Sequence, residues 1–167
     1  MIDQAALLEL FARYGVMTIV VVMFLEGLNC PGFPAGIILP TAGALAAGGE
    51  IPIWLAIVAA TAGGLLGSTV LYGVSSAVGE PIIHWMERKS EKARRLNDRC
   101  RELIFRKKVH SLFIARLIPV LRTLIAIPAG AYRVPVSRFL TMSAGGMACW
   151  NIVFIAVGYL VGIGIWG

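Results

Sequence analysis

Two stretches of 29 residues carry no charge at all: Ile51–Gly79 and Phe139–Gly167. A helix crosses the roughly 30 Å of bilayer hydrocarbon with about 20 apolar residues, so each stretch is long enough to span a membrane. Composition agrees. Apolar residues make up 58% of the chain and mean hydropathy is +0.82. Charged residues are 14%, against about 25% in an ordinary soluble domain. A soluble fold of 167 residues buries only about 70% of its unfolded surface and cannot hide so much apolar area. A soluble globular domain and a disordered chain are therefore disfavoured. Three scattered cysteines, Cys30, Cys100 and Cys149, offer no disulfide framework and no zinc-site spacing. The N-terminus carries early acids and no basic run, unlike a cleaved signal peptide.

Charge is concentrated in one segment. Residues 84–110 hold ten of the fifteen basic residues and four of the nine acids, which is the whole net charge of +6. A basic loop between apolar segments is expected on the cytoplasmic side. Ala93, Leu96, Cys100 and Leu103 recur at helical spacing, so 84–110 reads as one amphipathic helix, either a solvated linker or a helix resting on anionic headgroups. Its membrane-like flanks argue against nucleic acid as the partner.

Two further apolar stretches are interrupted. Residues 14–49 contain one charge, Glu26, and are broken around Pro31, Pro34 and Gly36. Residues 111–132 contain Arg116 and Arg122 and are broken at Pro119 and again around Pro128 and Gly130. Broken backbone at membrane depth persists only where protein or a wet cavity covers it. Both stretches read as re-entrant helical hairpins. The expected fold is thus all-α and polytopic. It comprises an interfacial helix (1–13), hairpin 1 (14–49), a transmembrane helix (51–79), the basic helix (84–110), hairpin 2 (111–132) and a transmembrane helix (139–167), all in a single membrane domain. With 84–110 inside, the two halves run in opposite directions, as in inverted-repeat transporters. The competing division makes 14–30 a full crossing. Gly63/Gly67 and Gly158/Gly162 give the small-residue spacing that lets helices pack closely, within the chain or in a homo-oligomer.

An ionisable residue inside an apolar span needs a partner or a job. Glu26, Arg116 and Arg122 are three such residues; they form either an internal ion pair or a polar site for a charged substrate group. Arg116 and Arg122 flank Pro119 by three residues on each side, which would bring two guanidinium forks to one hairpin tip. Guanidinium stays charged and matches phosphate geometry, and freed backbone N–H groups would add donors. Two arginines against one carboxylate favour an anion. Glu26 would balance charge or take up a proton as a coupling group. Metal-assisted hydrolysis would need clustered acids or histidines, and the chain has no such pair and no HExxH. No enzyme activity, metal or cofactor is expected.

The stretches FLEGLNCPGFPAGIILPTAG (24–43), GLLGSTVLYGVSSAVGEP (64–81) and FIARLIPVLRTLIAIPAG (113–130), with Phe139 and Trp150, resemble the DedA family of bacterial membrane proteins, which is related to the VTT-domain lipid scramblases. The resemblance implies a multi-pass protein of the bacterial inner membrane that moves lipids between leaflets, with undecaprenyl phosphate the first choice of cargo and phosphatidylethanolamine the alternative. It puts Glu26 on the family's functional acid and Arg116 and Arg122 on its arginine pair, and it implies proton dependence in some members. Gly36 stands where family sequences often have a second acid, which weakens two-carboxylate proton coupling. A proton-coupled small-solute transporter and a non-transporting scaffold are the other classes. On the lipid-carrier reading, Arg116→Ala and Arg122→Ala fold normally and lose transport; on the scaffold reading, folding and function fail together.

Overall fold

The computed structural model describes residues 14–30, 35–89, 91–105 and 111–166. The expected interfacial helix at 1–13 lies outside them, as do Pro31 and Pro34. The described chain is helical: α1 (Val16–Gly27), α2 (Ala35–Ala47), α3 (Ile53–Val78), α4 (Glu80–Lys89), α5 (Glu91–Phe105), α6 (Ser111–Leu117), α7 (Pro119–Leu124), α8 (Ala126–Ala131) and α9 (Val136–Trp166). α3 and α9 are long and apolar enough to cross a membrane. Each starts directly behind a proline, Pro52 or Pro135, whose carbonyl accepts an early helical bond (Ala56 N–H at 3.2 Å; Phe139 N–H at 3.0 Å). Proline suits a helix start because its missing N–H is not needed there. Gly79 ends α3 in the left-handed region (φ 71°), its N–H bonding the Ser75 carbonyl at 2.9 Å.

The polarity of α3 is reversed from that of a soluble helix. Trp54, Val58, Leu66, Val70, Val74 and Val78 recur at multiples of four residues, and each is about half exposed or more. The opposite face buries Ala56, Ala60, Ser68 and Ser75 at 0% exposure. α9 repeats the pattern, with Ile152, Val153, Val157, Leu160 and Val161 outward and Ser143, Asn151 and Ile155 inward. A contiguous apolar exterior with small and polar residues inside suits lipid, where large side chains lose nothing by facing outward.

The chain forms two compact units: Met1–Gly67 with Ala148–Gly167, and Ser68–Met147. In the first, glycines let backbones meet. A Cβ on Gly63 would overlap the Val20 carbonyl, and one on Gly67 would overlap that of Phe24, so α1 lies directly against α3. Gly43 faces Ile155 and Tyr159, Gly158 faces Pro40, and Gly162 faces Ala44 and Ala47, which seats α2 against α9. Both small-residue stripes seen in the sequence are thus used inside the chain. α1 and α2 have 12 and 13 residues, so each extends only about 18–20 Å at 1.5 Å per residue. Gly36 is not in the break but in the first turn of α2. The core here is Ile19, Val22, Met23, Ile38, Leu39, Ala42, Ala56, Ala59, Ala60 and Ile155.

The second unit holds the end of α3, helices α4 to α8 and the start of α9. The basic segment, expected as one helix over 84–110, begins instead at Glu80 and divides into α4 and α5; residues 106–110 are outside the described set. Asn97 and Cys100 are buried while Lys92, Arg94, Arg95, Arg99 and Arg101 are exposed, so the inner face of α5 packs on protein. Cys100 joins Tyr72, Leu112, Ala115, Leu121, Ile125 and Phe139 in this unit's core.

Two predictions follow from this packing. Gly67→Ala and Gly158→Ala force backbones apart and each destabilise by about 1–3 kcal/mol. Gly73→Ala, whose new methyl would meet nothing within 4 Å, leaves stability unchanged or slightly raised. Thermal unfolding in detergent measures both. Burial pushes the Cys100 thiol up to about 12 from an ordinary value of 9.0. In the unfolded chain the thiol ionises at the lower value, so unfolding is favoured progressively as pH rises from about 9 towards 12. Cys100 should accordingly resist alkylation at mildly alkaline pH until the protein is denatured, as peptide mass mapping would show.

Candidate functional site: the arginine pair

The break between α6 and α7 comes from Pro119. The residue before a proline is pushed out of the helical region, and Ile118 is extended (φ −89°, ψ 119°). Pro119 then opens α7 at its first turn, and the Arg122 N–H bonds the Ile118 carbonyl at 2.9 Å. Pro128 acts more gently. It lies inside α8, where its missing N–H interrupts one helical bond. The flanking bonds Ile125 N–H to Leu121 O (2.9 Å) and Ala129 N–H to Ile125 O (3.0 Å) survive. α7 and α8 therefore follow one another with only Ile125, itself in the right-handed helical region (φ −60°, ψ −24°), between them. Pro128 and Gly130, expected at a hairpin tip, are both buried within α8. Gly130 is small because the Tyr72 carbonyl and Ser75 of α3 lie against it.

Arg116, at the end of α6, is 1% exposed. Its guanidinium spans the break: one terminal nitrogen donates to the backbone carbonyl of Arg122 at 2.5 Å and to Ser68 Oγ at 3.3 Å. The other donates to Ser143 Oγ at 3.0 Å. Its carbon stands 5.5 Å from the centre of the Phe139 ring, within cation–π range. Phe139 in turn stacks on Tyr72 at 4.6 Å, and the Tyr72 hydroxyl donates to the Val134 carbonyl. Gly146 leaves room for the arginine stem, whose Cβ would meet any side chain there. Three helices, α3, α6 and α9, thus enclose one cation.

Arg122 differs. It is half-buried and sits in α7, one turn beyond the break, with its carbonyl fixed by Arg116. The proline spacing predicted two guanidinium forks at one hairpin tip; what the structure joins across the break is the Arg116 guanidinium and the Arg122 backbone carbonyl. What the spacing missed is that Arg116 is enclosed by serines, an aromatic ring and the neighbouring backbone. The signal available was the set of serines inside the uncharged spans, Ser68 and Ser143, since such hydroxyls bond across helices. Glu26 lies in the other unit, half-buried in the last turn of α1.

The enclosure changes what substitutions report. Arg116→Ala removes a buried, multiply bonded side chain and should lower stability by roughly 2–5 kcal/mol. Arg122→Gln should stay within about 1 kcal/mol of the parent. Thermal unfolding of the two variants side by side checks the difference. It also shifts the burden of testing function from Arg116 to Arg122.

Residues 33–160 match the VTT domain family. Over 159 residues the chain is 33% identical to a protein named undecaprenyl phosphate transporter A from Staphylococcus aureus, covering 90% of this chain and 75% of that one. It is 29% identical over 166 residues to the inner membrane protein YabI of Escherichia coli, covering 96% and 65% respectively. A protein named alkaline phosphatase-like, from Lactococcus lactis, is 26% identical over 164 residues, covering 95% and 76%. No solved structure matches. With two helices long and apolar enough to cross a membrane and a family match over residues 33–160, the chain belongs to the VTT-domain family of membrane proteins.

Proposed function

We propose that this protein moves a phosphate-bearing lipid between the leaflets of a bacterial cytoplasmic membrane, and that the lipid is a polyprenyl phosphate. The observation that carries this reading is the division of labour in the arginine pair. Arg116 is consumed in holding the break, while Arg122 is half-buried on the helix it holds. No acid occurs between Ser111 and Ala131, so the local charge is positive and suits an anionic headgroup. Arg122 clamps the phosphate through its planar fork, and Arg116 fixes the backbone from which that fork projects. The greasy tail stays in the bilayer beside the apolar outer faces of α3 and α9.

The remaining assignments belong to the same proposal. The segments 14–49 and 111–132 are re-entrant, and the basic segment 84–110 faces the cytoplasm under the positive-inside rule. Glu26 serves as the charge-balancing or proton-coupling carboxylate. Two relatives, from S. aureus and Bacillus subtilis, carry the name undecaprenyl phosphate transporter A, which supports the choice of lipid. The chemistry described needs no enzymatic step.

Reconstitution into liposomes with a fluorescent polyprenyl phosphate tests the proposal. The parent should exchange the lipid between leaflets, and Arg122→Gln should slow exchange about tenfold or more, the loss of one charge-assisted contact, while melting unchanged. Parent-like exchange by Arg122→Gln would refute the clamp. Glu26→Gln should abolish any acceleration by a pH gradient while leaving exchange at symmetric pH.

A further inference from the structure

The exposed charges of α5 are sorted by sign around the helix. Asn97 (2% exposed) and Cys100 (1%) mark its inner face, which packs on α4, α6 and α8, and the Asn97 amide donates to Glu87 of α4 at 2.8 Å. At about 100° per residue, Glu91, Arg95, Asp98 and Glu102 fall within about 50° of the line opposite that face. Lys92 and Arg99 lie on one flank, about 50–70° from that line, and Arg94 and Arg101 on the other, about 90–110° from it. All eight side chains are exposed. The outermost strip therefore carries three acids and one arginine, and each flank carries two cations and no acid.

A helix stabilised by its own ion pairs mixes signs along each face, three or four residues apart. Here the Arg95–Glu91 pair, at 3.5 Å, lies on the outer strip. Among the described residues, no carboxylate pairs with Arg94, Arg99 or Arg101. Nor can α5 sink into lipid through its apolar face, because protein already covers that face. Its position completes the argument. α3 stops at Val78 and α4 starts at Glu80. The 10 residues of α4 extend about 15 Å, so α5 begins close to the end of a helix long and apolar enough to span a membrane. Arg101 shares a small cavity with His84, one turn into α4, and with Tyr132, just before Val136 opens the second such helix. One basic flank thus stands beside the ends of both.

A helix lying in the boundary plane turns its outer line to water and its flanks sideways to headgroups. Long cationic side chains on the flanks then reach phosphate while the acids stay wet. We infer that α5 is seated at the bilayer surface with its inner face on the protein, and that its basic flanks bind the phosphates of anionic phospholipids. These lipids form a surrounding surface and are not the carried cargo, so the site goes beyond the lipid-carrier reading and does not depend on it. Each cation close to an anionic surface raises affinity about fivefold.

Retained lipid tests this. The full chain is reconstituted in nanodiscs of equal phosphatidylglycerol and phosphatidylcholine, released into a maltoside detergent and read by native mass spectrometry. Phosphatidylglycerol should be retained about tenfold or more over phosphatidylcholine, and less so as salt rises. Combining Arg94→Gln, Arg99→Gln and Arg101→Gln should remove that preference. All three residues are exposed, so the combined variant melts as the parent does. Combining Glu91→Gln and Asp98→Asn, which touch only the outer strip, should preserve it. Parental preference in the triple variant overturns the assignment, as does equal retention of the two lipids by the parent. Preference lost in Arg122→Gln but kept in the triple variant traces the lipid to the arginine pair and likewise overturns it. Binding of poly-glutamate by the parent without preference for phosphatidylglycerol identifies an acidic protein as the occupant and sinks the lipid assignment. The readout is retention rather than exchange between leaflets, so failure of the carrier reading leaves it unaltered.

Discussion

A guanidinium that cannot lose its proton sits almost completely out of water at Arg116, and the geometry of its unit follows from that. Desolvating such a group is affordable only when strong acceptors replace the water. Two serine hydroxyls, an aromatic face and a backbone carbonyl across a proline break supply them. Because those acceptors belong to α3, α7 and α9, bonding the two terminal nitrogens of Arg116 fixes where each helix stands relative to α6. The break that frees the Arg122 carbonyl is the break that gives Arg116 something to hold.

The same logic explains the outward-facing surfaces. In lipid, burying apolar side chains earns nothing, so contact between helices depends on close fit and on polar groups. Glycines bring α1 onto α3 and α2 onto α9 at backbone distance. The Asn151 amide donates to Thr61 Oγ1 at 3.1 Å within the first unit. In the charged helix α5 the rule reverses. α5 turns Cys100 and Asn97 inward and leaves Lys92 and its four arginines exposed.

Much of this was legible beforehand. The two uncharged stretches were expected to be long apolar helices, and they are α3 and α9 within a few residues, each long and apolar enough to cross a membrane. Pro119 announced a break because proline constrains its predecessor, an effect local to three residues. Pro128 and Gly130 lie inside α8 because the helical bonds on either side of the proline survive, a balance the proline itself does not encode. The basic segment looked continuous because its 3.6-residue periodicity continues past the point at which α4 gives way to α5. The glycine pairs suggested close packing but not the partner, since a stripe of small residues fits any complementary helix.

Sequence alone therefore determined the apolar segments long enough to span a membrane, the local break at Pro119 and the polar residues set inside apolar stretches. Each of these depends on composition or on neighbours a few residues away. Tertiary structure alone decided that Arg116 is enclosed while Arg122 is half-exposed, and that Asn97 braces Glu87. Two arginines of equal chemistry, six residues apart, differ only in which distant helices close over them. Burial and partner choice are properties of contacts between remote segments, and no local pattern encodes which of two like charges the fold will cover.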